Sequence, residues 1–414
     1  MTPTDVPKRS SPRRGAILVA AVSGRAIAQA AVEAGYAPLV ADFFADADTQ
    51  ALASGCRKLK GDIAKGMQWR NLAPVLEALA KAAPLPLLGV MYGSGFDDRP
   101  YLLDRIAECW PLLGNDAATV ERIKHPETFF GTLDRLAIPH PATVMARPPK
   151  GAGWVAKRRG GAGGSHVLPS RLQKPAANVY YQALVEGRAI SVLFLANGRD
   201  CRVLGFSEQW TAPAPSKRWR YGGAVRLASP PAQDEMVRAI AQATRAFRIT
   251  GLASADFMVD GDWPLLLEIN PRPGATLDVF ACAKKPLLKL HVEAVVQGRL
   301  PGKAPTFEGA AASAIVHAPK RLIVPRNMIW PVWTADLPRP GERIDKQRPI
   351  CTVLARAGTS RRAKRLIETR KANLLAKIYK LSKGESFEQQ EERRKREAAV
   401  GAAEHQRTSR ATGP

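Results

Sequence analysis

The sequence predicts an α/β protein that begins with an open parallel sheet and continues into an α+β region built around a β-hairpin. Near the N-terminus, short apolar runs at 15–22 and 38–44 flank a helical pattern at 26–34, as expected for a parallel sheet. Residues 252–274 read LASADFMVDGDWPLLLEINPRPG, in which two apolar strands flank an Asp260-Gly261 turn. The two patterns place a parallel sheet ahead of an antiparallel one.

A further N-terminal strand is expected at 85–92, followed by the glycine loop Gly93-Ser94-Gly95-Phe96. Ligands of open parallel sheets bind beyond the carboxyl ends of the strands, so the loops at 23–25 and 93–99 are candidate binding edges. The dinucleotide fingerprint G-x-G-x-x-G is absent from the first turn, which argues against a dehydrogenase.

Downstream, the pattern alternates helices, strands and turn-rich segments. It predicts helices at 119–136, 234–247 and 278–297, strand-rich segments at 142–167 and 179–195, and a polar, basic, aromatic loop at 212–228. The predicted division is a flexible tail at 1–14, an N-terminal α/β domain at 15–117, a second domain at 118–300, a small β-rich cap at 301–360, and a basic helix with a frayed or disordered tail at 361–414.

Composition narrows the function classes. The chain has 414 residues, enough for two or three domains, and no apolar run approaches the length of a membrane span. Its formal charge of +25 suits nucleic acid, an anionic membrane surface or anionic small substrates, but the charge is spread along the chain, which disfavours nucleic-acid binding as the main function. Its five cysteines lie far apart without a C-x-x-C pair, which favours a reducing cytoplasm.

The hairpin carries the chemistry that is easiest to interpret. Side chains alternate along a strand, so Glu268 and Asn270 point the same way, and the tight turn brings Asp256 close to Glu268. Two carboxylates and an amide oxygen are hard ligands that suit Mg²⁺, and Arg272 adds a cationic fork for an anion. The alternative is a solvated strand carboxylate, but Glu268 follows an apolar run and is expected to be partly buried.

A second candidate element is the sequence WVAKRRGGAGGSHV at 154–167, where a strand delivers Lys157 into the glycine loop 160–164. Glycines allow backbone N–H groups to approach phosphate, although such a loop is also a common flexible connection. His166 is expected to be a loop or packing residue. Taken alone, Lys124 fits a solvated lysine, and the segment YYQALVEG at 180–187 fits an ordinary strand end.

The order of these pieces closely resembles the ATP-grasp superfamily. The resemblance covers about residues 118–280, and the segment E-I-N-P-R is its most specific part. The upstream segments VMYGSGFDDRP and PLLGN resemble the domain that precedes the ATP-grasp domain in these enzymes. Together they resemble ATP-grasp carboxylate–amine ligases of methylotrophs and other prokaryotes, with a two-lobed ATP-grasp domain at 118–300.

The resemblance implies a role for each motif residue. It implies ATP and Mg²⁺, with Mn²⁺ as an alternative metal. Phosphate contacts would come from Lys124, Lys157 and the loop residues Gly160, Gly161, Gly163 and Gly164; adenine contacts from Gln182, Ala183, Leu184 and Val185; a ribose contact from Glu186; and metal ligands from Asp256, Glu268 and Asn270. Arg272 would steady the transferring phosphoryl group or an acyl phosphate, and Lys157 would neutralise charge during transfer.

The implied function is an ADP-forming ligase that joins a small-molecule carboxylate to an amine. The resemblance also suggests that the amide is formed in the biosynthesis of a one-carbon carrier cofactor. Alternatives are a small-molecule kinase on the same fold, or a nucleotide- or nucleic-acid-binding protein that uses the basic C-terminus. A homodimer is left open. Candidate substrate-pocket residues are Ser94, Phe96 and Arg99, and the loop 217–226 with Trp219 and Tyr221.

Overall fold

The structure, a computed structural model, describes residues 14–148, 153–281 and 284–383. Its first sheet contains β1 (Ala16–Ala20), β2 (Ala37–Asp42), β3 (Gly55–Lys58) and β4 (Leu87–Tyr92). The strands are parallel in the order β3-β2-β1-β4. Every residue of β1 and β2 is buried, as expected for a parallel sheet covered on both faces. The predicted N-terminal parallel sheet is confirmed.

The helices of the N-terminal half are α1 (Arg25–Glu33), α2 (Ala47–Leu52), α3 (Trp69–Lys81), α4 (Tyr101–Ala107), α5 (Ala117–Lys124) and α6 (Pro126–Arg135). The helical pattern predicted at 119–136 is confirmed, and it is divided between two separate helices, α5 and α6. Proline disfavours the helical conformation in the residue before it, and His125 accordingly has φ −83° and ψ 113°.

A small antiparallel sheet carries the glycine loop. It contains β5 (Thr143–Val144), β6 (Trp154–Arg158), β7 (Val167–Pro169) and β8 (Val179–Ala183), in the order β5-β8-β6-β7. The loop 160–164 connects β6 to β7, so the predicted strand that leads through Lys157 into the glycine loop is confirmed. A short 3₁₀ helix, Ser170–Leu172, follows β7.

The large sheet has eight strands, ordered β13-β12-β9-β10-β11-β14-β18-β16. Its members are β9 (Arg188–Asn197), β10 (Cys201–Thr211), β11 (Tyr221–Leu227), β12 (Thr250–Asp260), β13 (Trp263–Asn270), β14 (Ala310–His317), β16 (Thr334–Ala335) and β18 (Pro349–Ala357). The remaining strands, β15 (Leu322–Ile323) and β17 (Arg343–Ile344), pair with each other. Thus 301–360 is β-rich, but β14, β16 and β18 extend the large sheet instead of forming a separate cap.

Helices α7 (Gln233–Phe247), α8 (Leu287–Gln297) and α9 (Ser360–Lys383) complete the described chain, and none of the described helices is long and apolar enough to cross a membrane. The helix predicted at 234–247 and the basic helix predicted to begin at 361 are present. The helix predicted at 278–297 is wrong: a 3₁₀ helix covers Ala275–Phe280, and α8 begins only after Pro286. The predicted tail beyond 383 and most of the predicted tail at 1–14 lie outside the described residues.

The loop predicted at 212–228 is also wrong, because β11 within it is a buried strand of the large sheet. Its basic residues are typical of a solvated loop, but Arg226 is not solvated. The Arg226 guanidinium is buried, donates to the carbonyls of Val279, Glu308 and Gly309, and lies over the Phe307 ring. An arginine whose donors are satisfied by backbone carbonyls is compatible with a core strand.

Candidate active site

A cavity of about 2430 Å³ lies where the parallel sheet, the small sheet and the large sheet meet. It is lined by the loops after β1 and β4, by the glycine loop, and by the open ends of the large sheet, including Ser23, Ser94, Lys157, Gly160, Trp219, Asp256, Glu268, Asn270 and Arg272. Both binding edges expected from the parallel sheet therefore reach the cavity.

The hairpin β12–β13 brings its three polar residues together. Asp256 and Glu268 are direct partners across the two strands, and Asn270 pairs with Ser254 one step further along the same face. The Asn270 Nδ2 lies 3.2 Å from Asp256 Oδ2 and 3.4 Å from Glu268 Oε1. The expected juxtaposition of these side chains is present in the structure.

Two lysines from outside the hairpin reach this cluster. Lys124, the last residue of α5, is buried and donates to Asn270 Oδ1 at 2.8 Å, with its Nζ 3.7 Å from Glu268 Oε2. Lys157 on β6 donates to Gln182 Oε1 at 2.6 Å. Burial lowers the pKa of Lys157, although the charges of Glu268 and Asp256 counter that effect. Lys124 is therefore not the solvated lysine that its local sequence allows.

The two hairpin carboxylates have opposite pKa shifts. Burial, together with the neighbouring Glu268 charge, raises the pKa of Asp256 to about 7. Burial also acts to raise the pKa of Glu268, but the charges of Lys124 and Lys157 outweigh it and lower that pKa well below its ordinary value. One carboxylate is thus held ionised beside two lysines, while the other resists a second negative charge.

The donor set fits a hard divalent cation that takes further ligands from phosphate. The hairpin offers two carboxylates and one amide oxygen as ligands. The described residues contain no group of three His, Cys, Asp or Glu side chains that could hold a metal without such an amide. The amide nitrogen of Asn270 faces both carboxylates. Ligation by Asn270 Oδ1 therefore requires the amide to turn over, which would release its bond to Lys124.

The glycine loop is docked against both neighbouring parts of the molecule. Gly160 and Gly164 have φ of +66° and +69°, and a Cβ there would overlap the backbone of Asp98 and of Trp219 respectively. The Tyr221 N–H donates to Gly163 O at 2.9 Å. All four predicted loop glycines line the cavity, and burial lowers the pKa of the adjacent His166 to about 4, so that imidazole is neutral at pH 7.

The predicted adenine and ribose residues lie less directly on the cavity. Gln182 is buried on β8, and its side chain bonds Lys157 and Thr143. Ala183, Leu184, Val185 and Glu186 follow at the strand end, and none of them is among the described residues lining the cavity. The neighbouring Gly187 and Arg188 do line it. The adenine and ribose contacts of residues 182–186 stay a prediction.

The sequence interpretation missed Asp97, which joins the N-terminal sheet to the site. Asp97 is 3% exposed, accepts from Arg272 Nε at 2.8 Å, and lies 3.6 Å from Lys124 Nζ. Arg272 is thus buried beside a carboxylate while it lines the cavity. The D-D pair after the glycine loop was the available signal, but pairing across 175 residues is not readable from spacing.

Among the substrate-pocket candidates, Ser94, Arg99, Lys217, Trp219 and Tyr221 line the cavity. Phe96 is fully buried in the core of the parallel sheet, and Arg226 holds backbone carbonyls as described above. These two are packing residues, because their side chains have partners away from the cavity.

One protein-family model matches part of the chain. Residues 128–276 match the family model of the ATP-grasp domain. No curated protein sequence matches the chain significantly.

Several solved structures share the fold at low sequence identity. The N5-carboxyaminoimidazole synthetase of Staphylococcus aureus, complexed with ADP, has a TM-score of 0.63 at 12% identity, over 87% of this chain and 98% of that one. The biotin carboxylase domain of the 2-oxoglutarate carboxylase of Hydrogenobacter thermophilus, with MgADP, has 0.66 at 12%, over 85% and 88%. The L-amino acid ligase of Bacillus licheniformis has 0.65 at 14%, over 87% and 97%.

The domain match covers the glycine loop, both strands of the hairpin, Lys157 and Arg272. The fold likeness extends over the N-terminal sheet as well. The resemblance to the ATP-grasp superfamily is confirmed, whereas the narrower resemblance to ligases of methylotrophs stays a prediction. The chain carries an ATP-grasp domain at residues 128–276.

Proposed function

We propose that the protein is an ATP-dependent carboxylate–amine ligase that forms an amide bond through an acyl phosphate and releases ADP. The proposal is carried by one observation: Lys157, the docked glycine loop and the carboxylate hairpin line one cavity of an ATP-grasp fold, and Lys124 donates to Asn270 of that hairpin. Enzymes with this fold include an amino acid ligase and carboxylating enzymes determined with ADP or MgADP. A cavity of this size is large enough to hold a nucleotide together with two small reactants.

The residue roles follow from charge and position. Lys124 and Lys157 would neutralise the β- and γ-phosphates, and the N–H groups of the loop 160–164 would donate to them. Glu268 and Asp256, with Asn270 after its amide turns over, would hold Mg²⁺. When bound, the metal would supply Lewis-acid stabilisation of the phosphates. Gln182 is proposed to position Lys157, because its side-chain oxygen already accepts from the lysine Nζ.

The reaction would run in two steps. A substrate carboxylate oxygen attacks the γ-phosphorus of ATP, and ADP leaves. The amine nitrogen then attacks the acyl carbon, and phosphate leaves with the former carboxylate oxygen. Arg272, oriented by Asp97, would stabilise the transferring phosphoryl group, and the docked loop would exclude water from the acyl phosphate.

The test is an ADP-release screen over pairs of carboxylic acids and amines. We expect release that requires both partners, and formation of a hydroxamate when hydroxylamine replaces the amine. ADP release with one acceptor and no hydroxamate would make the protein a kinase. No release with any pair, together with nucleic-acid affinity that falls steeply with salt, would favour a binding protein.

Two finer proposals accompany the ligase. The first concerns the product, which the sequence resemblance suggests is an amide in the synthesis of a one-carbon carrier cofactor. The screen therefore includes the acid and the amine that would form such an amide. The proposed compartment is the reducing cytoplasm, because the four cysteines in the described part of the chain are free thiols.

A further inference from the structure

A second group of carboxylates lines the same cavity. Asp46, at the start of α2, lines the cavity with Asp336 and Glu342, and we call these three residues the acidic wall. Asp46 follows the carboxyl end of β2, which is the edge of a parallel sheet where ligands bind. An acidic lining is notable in a chain whose formal charge is +25.

The carboxylates around Asp46 all have hydrogen-bond donors. Asp336 accepts from Arg25, at 3.0 and 3.1 Å, and Glu342 accepts from the Arg339 N–H at 3.1 Å. Behind the wall, Asp42 accepts from three backbone N–H groups, and Asp48 accepts from the N–H groups of Asp336 and Leu337. Each of these negative charges is therefore stabilised within the fold.

Asp46 differs from its neighbours. It is 8% exposed, and within the described residues its carboxylate has neither a hydrogen-bond donor nor a cationic partner. It precedes α2 but does not cap it, because no backbone N–H of the helix donates to its side chain. Arg339 reaches the neighbouring residue, where its Nη2 donates to the carbonyl of Ala45.

An unpaired buried carboxylate is costly unless it takes up a proton or a cation. Burial, reinforced by the charges of Asp336 and Asp42, raises the pKa of Asp46 to about 8. Nothing in the surrounding packing gains from this charge. A ligand cation bound beside Asp46 would remove this cost as effectively as the proton does.

The chemistry of the ligand is limited by the donors available. A divalent metal needs several oxygen ligands, and the described residues offer no group of three acidic, His or Cys side chains that could hold one. An organic ammonium needs one carboxylate and tolerates apolar walls. Phe43 and Phe44 line the cavity beside Asp46 and supply such walls.

We propose that Asp46 is the ammonium-binding residue of the amine subsite, with Phe43 and Phe44 contacting the apolar part of the same molecule. This inference rests on the proposed ligase function for the identity of the ligand as a substrate. The subsite accounts for two features at once: the unpartnered buried carboxylate, and its place on the same cavity as the nucleotide residues.

The test measures binding without turnover, so that it is independent of ADP release. Calorimetric titration of the full chain at pH 8 uses 2-phenylethylamine and its uncharged analogue 2-phenylethanol. We expect the amine to bind about tenfold or more tightly than the alcohol, the usual gain from a charge-assisted bond. Asp46→Asn and Asp46→Ser should remove that preference, whereas Asp104→Asn, an exposed carboxylate on the same cavity, should retain it.

Three results would overturn the subsite. Equal affinity for amine and alcohol in the unaltered protein, or a preserved preference in both Asp46 variants, would show that Asp46 does not bind ammonium. Displacement of 2-phenylethylamine by MgCl₂ alone would make the wall a metal site. Thermal melting checks that both variants are folded. A failed ligase screen with intact amine selectivity would reject the reaction but keep the subsite.

Discussion

Two pairs of carboxylates face the same cavity, and their surroundings differ. On the hairpin, Asp256 and Glu268 lie beside two buried or partly buried lysines, Lys124 and Lys157. On the acidic wall, Arg25 pairs with Asp336 and also with Asp278, whereas Asp46 has no cationic partner among the described residues. The hairpin is balanced for a metal with a polyphosphate, whereas Asp46 on the wall lacks a cation beside it and therefore holds a proton up to about pH 8.

The two sites also differ in how far apart in the chain their residues lie. The hairpin pair arises from two adjacent strands and a two-residue turn. The wall combines the end of β2 with a segment almost 300 residues later, as the bond from Asp336 N to Asp48 across 288 residues illustrates. A site made of such distant pieces depends on how the N-terminal sheet docks against the large sheet.

The largest expected effect is on the hairpin. Glu268→Gln removes a charge that both lysines stabilise, and Asn270→Ala removes the third ligand, so each should lower ADP release by about a thousandfold with the fold intact. Steady-state ADP assays and thermal melting measure the two effects. Asp260→Asn, at the exposed tip of the same hairpin, is the matched control and should remain active. Near-normal activity in both site variants would reject the assignment.

The next effect concerns the arginine behind the wall. Arg25→Met should destabilise the protein by about 3 kcal/mol or more, because it leaves the partly buried Asp278 and Asp336 without their guanidinium partner. Denaturant unfolding measures the change. Arg105→Met, which breaks the exposed pair with Glu108, should cost about 0.5 kcal/mol or less. Equal losses in the two variants would show that the Arg25 network does not hold the wall.

An effect that is smaller per pH unit is expected in the pH dependence of stability. Folding raises the pKa of Asp46 from 3.8 to about 8, so the native state binds the extra proton and stability falls as pH rises between those values. The slope from this group is at most about 1.4 kcal/mol per pH unit. Asp46→Asn should flatten the profile from pH 4 to pH 8 and gain stability at the alkaline end. Parallel profiles for the two proteins would contradict the assignment.

The smallest effect should come from the C-terminus. Removing residues 384–414 should leave the affinity for ATP unchanged, because the candidate nucleotide residues all lie between Lys124 and Arg272. Equilibrium binding of a fluorescent ATP analogue measures this. A large loss of affinity would place part of the nucleotide site in the tail.

The residues predicted well from the sequence are those whose partners lie nearby in the chain. Asp256, Glu268 and Asn270 were predicted on one face because strand alternation and a tight turn determine it. The bonds from Lys124 to Asn270 and from Arg272 to Asp97 span 146 and 175 residues, so spacing alone does not reveal them. Asp46 sits where an ordinary helix cap is expected, and the missing bond becomes visible only in three dimensions.

The most direct test of the central claim is the fate of the substrate carboxylate oxygen. With an acid labelled by ¹⁸O in its carboxylate, ATP, Mg²⁺ and the amine found in the screen, an acyl phosphate transfers one labelled oxygen to each phosphate released. We predict phosphate carrying one ¹⁸O per amide formed, measured by mass spectrometry. Unlabelled phosphate would show that the carboxylate is never phosphorylated and would contradict the proposed ligase.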